Sequence, residues 1–178
     1  SPGSTIKPIV ALSALENNIV NPNFKVKCTG KTELYGQTFH CWKEEGHGFV
    51  SLKNAMKQSC DTYFYEVARI LGVDRLNITA KKFGLGEKVL GEYFDNEKKG
   101  LFPNTSWKKN NLARGWVLGE TLITGIGQGY TQTTPLQLCL LTAQIANGGY
   151  KIKPKILVNN KPLSLEQAKN LIKFDSLH

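Results

Sequence analysis

Hydrophobic positions recur at helical spacing in several segments of this 178-residue chain. The stretch STIKPIVALSAL (residues 4–15) predicts a first helix that begins after a Pro-Gly turn. Pro8 is compatible with that helix, because backbone N–H groups in a first turn have no intrahelical partner to lose. In TYFYEVARIL (residues 62–71) the apolar residues again follow helical spacing, and Gly72 is expected to end this helix.

Residues that commonly cap helices predict further helix starts. The clearest is Thr134, which is followed by Pro135 and Gln137, so that a capping box precedes LQLCLLTAQIA. The Asn-Gly-Gly sequence at residues 147–149 is expected to end that helix. The other predicted caps are Ser51 before LKNAMKQ, Asp74 before RLNITAKKF, which Gly84 should stop, and Ser164, with Gln167, before the last helix.

Strand patterns are fewer and shorter than helix patterns. TELYG and TFHCW (residues 32–36 and 38–42) predict two short strands joined around Gly36. KIKPKILV (residues 151–158) is at best an edge strand, since Pro154 has no N–H for a sheet. Residues 84–129 are expected to be rich in loops. With at least five helices against about three short strands, the chain is predicted to be mainly α and to form one domain.

The chain carries 23 basic and 14 acidic residues, a net charge of +9. The lysines are spread along the sequence without an arginine-rich cluster or a nucleic-acid motif, so no nucleic-acid partner is expected. A basic surface facing an anionic membrane or glycan precursor explains the charge equally well. The hydrophobic fraction of 40% is typical of a globular protein, and no apolar run reaches the roughly 18 residues of a membrane helix.

The first candidate chemistry is the pair Ser4 and Lys7 at the start of the first helix. Residues three apart share a helix face, and the N-terminal end of a helix favours developing negative charge. A serine hydroxyl needs an adjacent base to act as a nucleophile, and Ser-x-x-Lys supplies both from one turn. An ordinary helix start has the same composition, and the pattern recurs at Ser106 and Lys109 in a polar stretch predicted to be loop.

Further motifs follow Ser4 and Lys7 in order along the chain. They are GHG at residues 46–48, Ser59-Cys60-Asp61, TYFYEVA, GIGQGY at residues 125–130, and TTPLQL. This order resembles the transpeptidase domain of class B penicillin-binding proteins over nearly the whole chain. It is most similar to the penicillin-binding protein 2 branch, which acts in cell elongation. The GHG motif, and an Asp where most relatives carry Asn in the second motif, indicate that branch.

The resemblance implies a peptidoglycan D,D-transpeptidase that works through a serine acyl-enzyme. Ser4 would attack the penultimate D-Ala carbonyl of a stem peptide, and Lys7 would accept the serine proton. Ser59 would relay that proton toward the leaving amine, and Asp61 would hydrogen-bond the substrate backbone or Lys7. An ionised Asp accepts hydrogen bonds but cannot donate them as Asn does, so Asp61 should favour a charged Lys7.

The implied fold is the α/β fold of penicillin-binding proteins and serine β-lactamases, but parts of it are expected to be missing. The family's third motif, Lys-Ser/Thr-Gly on a strand of the central sheet, does not occur, since Gly30-Lys31-Thr32 is followed by Glu33 and precedes the second motif. Strands before the first motif are missing too. The chain is therefore expected to be the helical half of a transpeptidase domain, without turnover of its own. The predicted organisation is a partial domain at residues 1–178, with the first motif at 4–7, an insertion at 21–50 and the second motif at 59–61.

The same resemblance implies partners and a location. Stem peptides and the lipid-linked precursor would be substrates, and β-lactam antibiotics would acylate the serine. A membrane-embedded glycosyltransferase of the elongation machinery would be the protein partner. The domain would face the periplasm from the bacterial inner membrane, and catalysis would need no cofactor.

Two other functions are compatible with these motifs. A serine β-lactamase or β-lactam sensor has the same fold, although the Glu-x-x-x-Asn motif of one class of deacylating enzyme is absent. A non-catalytic zinc-binding or interaction module would explain the absence of the third motif.

Three cysteines and a histidine form a candidate structural zinc site. Cys28, Cys41, His47 and Cys60 supply a complete tetrahedral set of ligands. The first three lie in the insertion, and Cys60 is the middle residue of the second motif. If its two neighbours face the cleft, Cys60 points away from the cleft and toward the insertion. A metal there would fix a polar segment to the back of the catalytic turn.

The cysteines allow other interpretations. A disulfide between Cys28 and Cys41 would suit an oxidising compartment, and free structural thiols are a third possibility. His40 is a rival ligand, but adjacent strand residues face opposite sides. Cys139, in the apolar run LQLCLLTA, is expected to be a buried core thiol. The glycines of GIGQGY are expected to be structural, because their spacing is not that of a phosphate-binding loop.

Overall fold

The structure is a computed structural model that describes residues 1–91 and 95–155. Seven α-helices and four short strands make up the regular structure within those ranges. The helices are α1 (Lys7–Glu16), α2 (Leu52–Lys57), α3 (Asp61–Leu71), α4 (Val73–Lys82), α5 (Thr105–Leu112), α6 (Leu118–Gly125) and α7 (Pro135–Ala146). The strands are β1 (Lys25–Cys28), β2 (Lys31–Leu34), β3 (Gln37–His40) and β4 (Gly48–Ser51). The prediction that the chain is mainly α is confirmed for these residues.

Helix α3 forms the centre of the hydrophobic core. Tyr63 and Phe64 are fully buried, and α1, α4 and α6 pack around the helix. The opposite stripe is polar, where Glu66 and Arg69 form an ion pair, so the helix is amphipathic as its sequence predicts. Gly72 ends the helix with a φ of 81°, a left-handed conformation that glycine adopts without strain.

The four strands form two separate antiparallel pairs. β2 and β3 form the predicted hairpin, whose turn residues Tyr35 and Gly36 both have positive φ. β1 pairs with β4 and packs against α3, and this pairing was not predicted from the sequence. The two pairs bring the segment 25–51 over the N-terminal end of α3, where the candidate site lies.

The described residues of 84–129 are rich in loops, as predicted, but α5 and α6 also lie in this section. Asn104 caps α5 by accepting a hydrogen bond from the Trp107 N–H at 2.7 Å. Lys108 of α5 is buried and forms an ion pair of 2.6 Å with Glu120 of α6. The second Ser-x-x-Lys copy, from Ser106, is therefore helical and not loop.

Predicted helix caps have mixed outcomes. Thr134 forms the predicted capping box at the start of α7, accepting from the Gln137 N–H at 3.2 Å. Ser51 precedes α2 as predicted, but its side chain makes no capping hydrogen bond. Asp74 is not a cap, because α4 begins at Val73, and its carboxylate instead accepts from the Thr105 N–H and hydroxyl.

The remaining predictions concern the C-terminal part of the chain. Cys139 is exposed on α7, so the prediction of a buried core thiol is wrong. The last helix with its Ser164 cap lies outside the described residues, as do the last three residues of KIKPKILV. Residues 151–155 have no regular secondary structure. Among residues 1–91 and 95–155, no helix has both the length and the apolar character that crossing a membrane requires.

Candidate active site and metal-binding cluster

Ser4 and Lys7 lie where the chain enters α1. Residues Gly3–Ile6 form a 3₁₀ turn, and Lys7 is the first residue of the α-helix, so the predicted helix at 4–15 begins as a tighter turn. Ser4 is exposed, whereas the Lys7 side chain is only 2% accessible. The turn therefore presents the hydroxyl to solvent and directs the amine into the protein.

The loop after α6 holds the Gly3–Ile6 turn in place through hydrogen bonds to the Gly127 carbonyl. The Gly3 N–H donates to the Gly127 carbonyl at 2.9 Å, and the Ser1 hydroxyl donates to the same oxygen at 2.5 Å. Gly127 has a φ of 74°, and a Cβ there would overlap the Gly3 backbone. Gly125 is similarly close to Ala68, so at least two glycines of GIGQGY serve close backbone packing, as predicted.

Three acceptors surround the Lys7 ammonium. Its Nζ donates to Asp61 Oδ1 at 2.7 Å, to Ser59 Oγ at 2.9 Å and to the Ser59 carbonyl at 2.9 Å. These contacts use all three hydrogens of the ammonium group, and the Phe64 ring lies 5.5 Å from Nζ. The structure thus brings Lys7, Ser59 and Asp61 together, and the Asp61–Lys7 contact is one of the two that the sequence predicted.

The backbone at Ser59 has a φ of 50°, which is rare for a residue other than glycine. This conformation turns the chain sharply between α2 and α3. Cys60, the N-cap of α3, is then extended, with φ −69° and ψ 109°. The reversal places Ser59 and Asp61 on the cleft side and Cys60 on the other side, as the sequence predicted.

An open cleft of about 580 Å³ lies in front of Ser4. Its walls include Ser59 and Asp61, as expected from the sequence, and six residues that the sequence did not place there. These six are His40, Cys41, Trp42, Tyr65, Ile126 and Gln128. A signal for His40 and Trp42 existed, because they flank Cys41 at the end of a strand, where side chains alternate between faces.

Tyr65 contributes to the wall as a neutral phenol. Its hydroxyl donates to the His40 carbonyl at 3.0 Å. Burial raises the pKa of this phenol, and the negative charge of Asp61 adds to the increase. Tyr65 therefore holds the β3 end in place and is not a base at neutral pH.

Behind the second motif, the ligand atoms of Cys28, Cys41, His47 and Cys60 all lie within 4.8 Å of one another. The His47 Nδ1 atom is 3.5 Å from the Cys28 sulfur and 3.6 Å from the Cys41 sulfur. Sulfur and nitrogen ligands of a tetrahedral zinc ion lie about 3.5 Å apart, given ordinary zinc–ligand distances. The four residues therefore fit a structural zinc ion.

Two glycines allow the loops of this cluster to approach each other. A Cβ at Gly46 would overlap the Cys28 carbonyl, and a Cβ at Gly30 would overlap the Glu44 carbonyl. Both glycines have positive φ. His40, the rival ligand, lines the cleft and is not part of the cluster. The thiols of Cys28 and Cys41 are free and do not form a disulfide.

The thiols of the cluster differ in acidity. Burial raises the pKa of Cys28, but hydrogen bonds with Thr62, the Gly30 backbone and His47 outweigh it and bring the pKa to about 6. Burial raises the pKa of Cys60, and a thiolate at Cys28 raises it further. A divalent cation between these sulfurs would remove this repulsion and favour thiolates at all three.

Comparison with known proteins identifies the family. Residues 1–174 match the family described as the penicillin binding protein transpeptidase domain. The chain belongs to this transpeptidase family. Its order of motifs is therefore the order of a penicillin-binding protein, as the sequence indicated.

Relatives of this transpeptidase domain are also found among curated proteins. The peptidoglycan D,D-transpeptidase MrdA of Acinetobacter baumannii is 41% identical over 158 residues, which are 88% of this chain and 23% of that protein. The MrdA protein of Escherichia coli is 35% identical over 160 residues, which are 89% of this chain and 25% of that protein. The chain thus spans about a quarter of the length of these relatives.

Solved structures of penicillin-binding proteins have the same fold. The crystal structure of Pseudomonas aeruginosa PBP2 in complex with WCK 5153 matches with a TM-score of 0.87 and 40% identity, covering 98% of this chain and 40% of that one. PBP2 of Helicobacter pylori, in its complex with MreC, matches with a TM-score of 0.86 and 34% identity, covering 96% of this chain and 31% of that one.

Proposed function

We propose that the protein to which this chain belongs is a peptidoglycan D,D-transpeptidase of cell-wall elongation. The observation that carries the proposal is the contact of Lys7 with Ser59 and Asp61, one turn after the exposed Ser4. Relatives that bear the name peptidoglycan D,D-transpeptidase support it. As in those relatives, the whole enzyme would contain more chain than the residues described.

The reaction begins when Ser4 Oγ attacks the penultimate D-Ala carbonyl of a stem peptide. The new Oγ–carbon bond forms, the serine proton passes to Lys7, and the peptide C–N bond breaks. The terminal D-Ala leaves as an amine after protonation through Lys7 and Ser59. An amine of a neighbouring stem peptide then attacks the ester carbon, and the bond from that carbon to Ser4 Oγ breaks. A proton of the amine returns to Ser4 Oγ through Lys7, and the cross-link is closed.

The contacts of Lys7 impose a condition on these reaction steps. With three acceptors around it, the amine is arranged as an ammonium ion and must lose a proton before it can accept one from Ser4. Ser59 is the neighbour that both donates and accepts through its hydroxyl, whereas an ionised Asp61 only accepts. The hydroxyl of Ser59 is therefore the group through which that proton moves to the nitrogen of the leaving D-Ala.

Labelling with a fluorescent penicillin tests the proposal in the full-length protein. Ser4→Ala should abolish covalent labelling, and Lys7→Arg should slow it roughly 10²-fold, because a guanidinium does not deprotonate. Ser106→Ala and Lys109→Arg are matched controls, since they change the second Ser-x-x-Lys copy on α5. Undiminished labelling of Ser4→Ala would contradict the assignment of the nucleophile.

The lifetime of the label separates this function from the others that the motifs allow. A transpeptidase stays acylated, whereas a β-lactamase would lose the label rapidly. A binding module would take up no label at all. Either of the last two results would overturn the proposal.

We propose further that Cys28, Cys41, His47 and Cys60 hold a structural zinc ion. The ion would link the segment 25–51, which has few buried side chains of its own, to the start of α3. The support is the distance from Nδ1 of His47 to the two sulfurs, which suits tetrahedral coordination. The ion has no part in the chemical steps.

Metal analysis of protein purified without chelators tests this site. About one zinc per chain is expected, and Cys60→Ser should lose both the zinc and thermal stability. Cys139→Ser is the matched control, because this thiol is exposed and lies outside the cluster. A protein that contains no zinc, or a Cys60→Ser variant that keeps it, would refute the site.

The location and partners follow from the same proposal. The catalytic domain would face the periplasm from the inner membrane, beside a membrane-embedded glycosyltransferase, and would act on stem peptides made from the lipid-linked precursor. One relative of known structure is described in complex with MreC, and another in a peptidoglycan synthase complex. Protease accessibility of the protein in spheroplasts tests the orientation, since a protected domain would exclude it.

A further inference from the structure

We infer that Trp42 is a positioning residue for the acylation step, a role that rests on the proposed transpeptidase function. Trp42 follows the last strand of the β2–β3 hairpin and lines the cleft beside Ser59 and Asp61. It contacts both of these residues of the second motif. It lies outside the transpeptidase motifs named above.

The contacts of Trp42 come from two different parts of the residue. Its main-chain N–H donates to Asp61 Oδ2 at 3.0 Å. Its indole Nε1–H donates to the carbonyl of Gln58 at 3.0 Å and to that of Ser59 at 3.1 Å. One residue thus restrains both the carboxylate that binds Lys7 and the backbone that carries the Ser59 hydroxyl.

The indole contact matters because the Ser59 backbone is strained. A non-glycine residue with a φ of 50° persists only where its surroundings hold it. Two donors converge on the Ser59 carbonyl, the Lys7 ammonium and the Trp42 indole. When Lys7 transfers its proton it loses one N–H donor, and the indole is the donor to this carbonyl that does not change charge. The indole therefore keeps the turn in place through the proton transfer.

The main-chain N–H of Trp42 restrains Asp61 in a similar way. One carboxylate oxygen accepts from Lys7 and the other from the Trp42 N–H, so the carboxylate plane is fixed by both donors. The anchored indole limits movement of the backbone that supplies this N–H. The ring of His47 packs edge-on against the indole, with ring centroids 5.3 Å apart, and so restrains it from the side of the metal-binding cluster.

Packing in the hydrophobic core does not explain why residue 42 is a tryptophan. Trp42 is 63% exposed, which is unusual for a tryptophan. Its polar N–H is nevertheless used twice. This combination indicates that the hydrogen bonds, more than burial of the ring, account for a tryptophan at this position.

Acylation kinetics of the full-length protein test the inference, with penicillin as the probe. Trp42→Phe keeps an aromatic ring and the main-chain N–H but removes the indole donor. The acylation rate constant should fall about tenfold, the effect of one net hydrogen bond, while the noncovalent affinity for penicillin stays unchanged. Trp116→Phe is the matched control, because it removes an indole donor to Thr121 outside the cleft and should leave the rate constant unchanged.

A second replacement keeps the test decisive if Trp42→Phe does not fold. Trp42→3-benzothienylalanine, introduced by suppression of a stop codon, replaces the N–H by sulfur and keeps the shape of the side chain. The same tenfold loss is expected. An unchanged rate constant would overturn the inference, and so would a loss confined to penicillin affinity, which would make the ring a binding surface only. Absence of labelling in the wild-type protein would instead refute the proposed function.

Discussion

Replacement of Ser59 by glycine and by alanine should separate the two roles of this residue. Its hydroxyl contacts Lys7 at 2.9 Å, and its backbone has a φ of 50°. Both substitutions remove the hydroxyl. Only glycine also relieves the backbone strain, so the pair distinguishes the chemistry of the side chain from the conformation of the turn.

The two variants should be equally impaired in acylation. Without the hydroxyl, Lys7 keeps Asp61 and the Ser59 carbonyl as acceptors but loses the one of its three described acceptors that can both donate and accept a proton. Loss of a positioned proton-transfer group slows a reaction roughly 10²-fold or more. Acylation by a fluorescent penicillin measures this rate in both variants.

The two variants should differ in stability. An alanine in the left-handed region destabilises the folded state by about 1–2 kcal/mol, and glycine removes this strain. Glycine also gives the unfolded chain more backbone entropy, which lowers its stability advantage by about 0.5–1 kcal/mol. Ser59→Gly should therefore be more stable than Ser59→Ala by roughly 0.5–1 kcal/mol. For a domain of this size the difference corresponds to a melting temperature roughly 1–4 °C higher.

The role of the hydroxyl and the strain of the backbone at Ser59 are tested independently. Normal acylation in Ser59→Ala would show that the hydroxyl does not carry the proton. A glycine variant that melts below the alanine variant would show that the turn at Ser59 is not strained in the folded protein.

Two further predictions follow from local packing. Gly127→Ala should lower both stability and penicillin labelling, because its Cβ would overlap the Gly3 backbone. Gly148 also has positive φ but has open space around it, so Gly148→Ala should only reduce stability, by about 1 kcal/mol. Thermal melting of both variants measures the difference. In the native protein Cys139 should react fastest with maleimide, because it is exposed and the three thiols of the cluster are buried. Mass analysis after brief maleimide treatment checks this, and rapid labelling at Cys60 would contradict it.

Local chemistry explains which elements the sequence predicts correctly. The capping box of Thr134 and Gln137, the glycine at the end of α3 and the turn at Gly36 each depend on residues within a few positions of one another. Such contacts form in the same way wherever the segment lies in the fold. For the same reason, the helix at 62–71 could be predicted from its amphipathic spacing alone.

Helix α5 could not be predicted in this way, because its stabilising contacts are distant or lie outside it. TSWKKNNL has no apolar stripe, and its asparagines are poor helix formers. The helix is held by the Asn104 cap and by the buried pair of Lys108 with Glu120 on another helix. A lysine in a polar run gives no indication of such a partner.

The exposed position of Cys139 has a similar cause. In an apolar run such as LQLCLLTA, spacing does not indicate which face is buried. The structure buries Gln137 and Gln144, whose side-chain amides donate to backbone carbonyls of Glu87 and Phe83. These two polar contacts fix the rotation of α7 and leave the thiol on the opposite face.

The candidate site depends on one sharp turn that serves two purposes. Because Ser59 is left-handed and Cys60 is extended, consecutive side chains point to opposite sides of the segment that starts α3. Ser59 and Asp61 contact Lys7, while Cys60 joins the thiols of the metal-binding cluster. A helix begun one residue earlier would rotate these three side chains together and separate Lys7 from its acceptors. The strain at Ser59 is therefore the condition under which a cleft and a cluster can share three adjacent residues, and the Lys7 and Trp42 hydrogen bonds to its carbonyl maintain it.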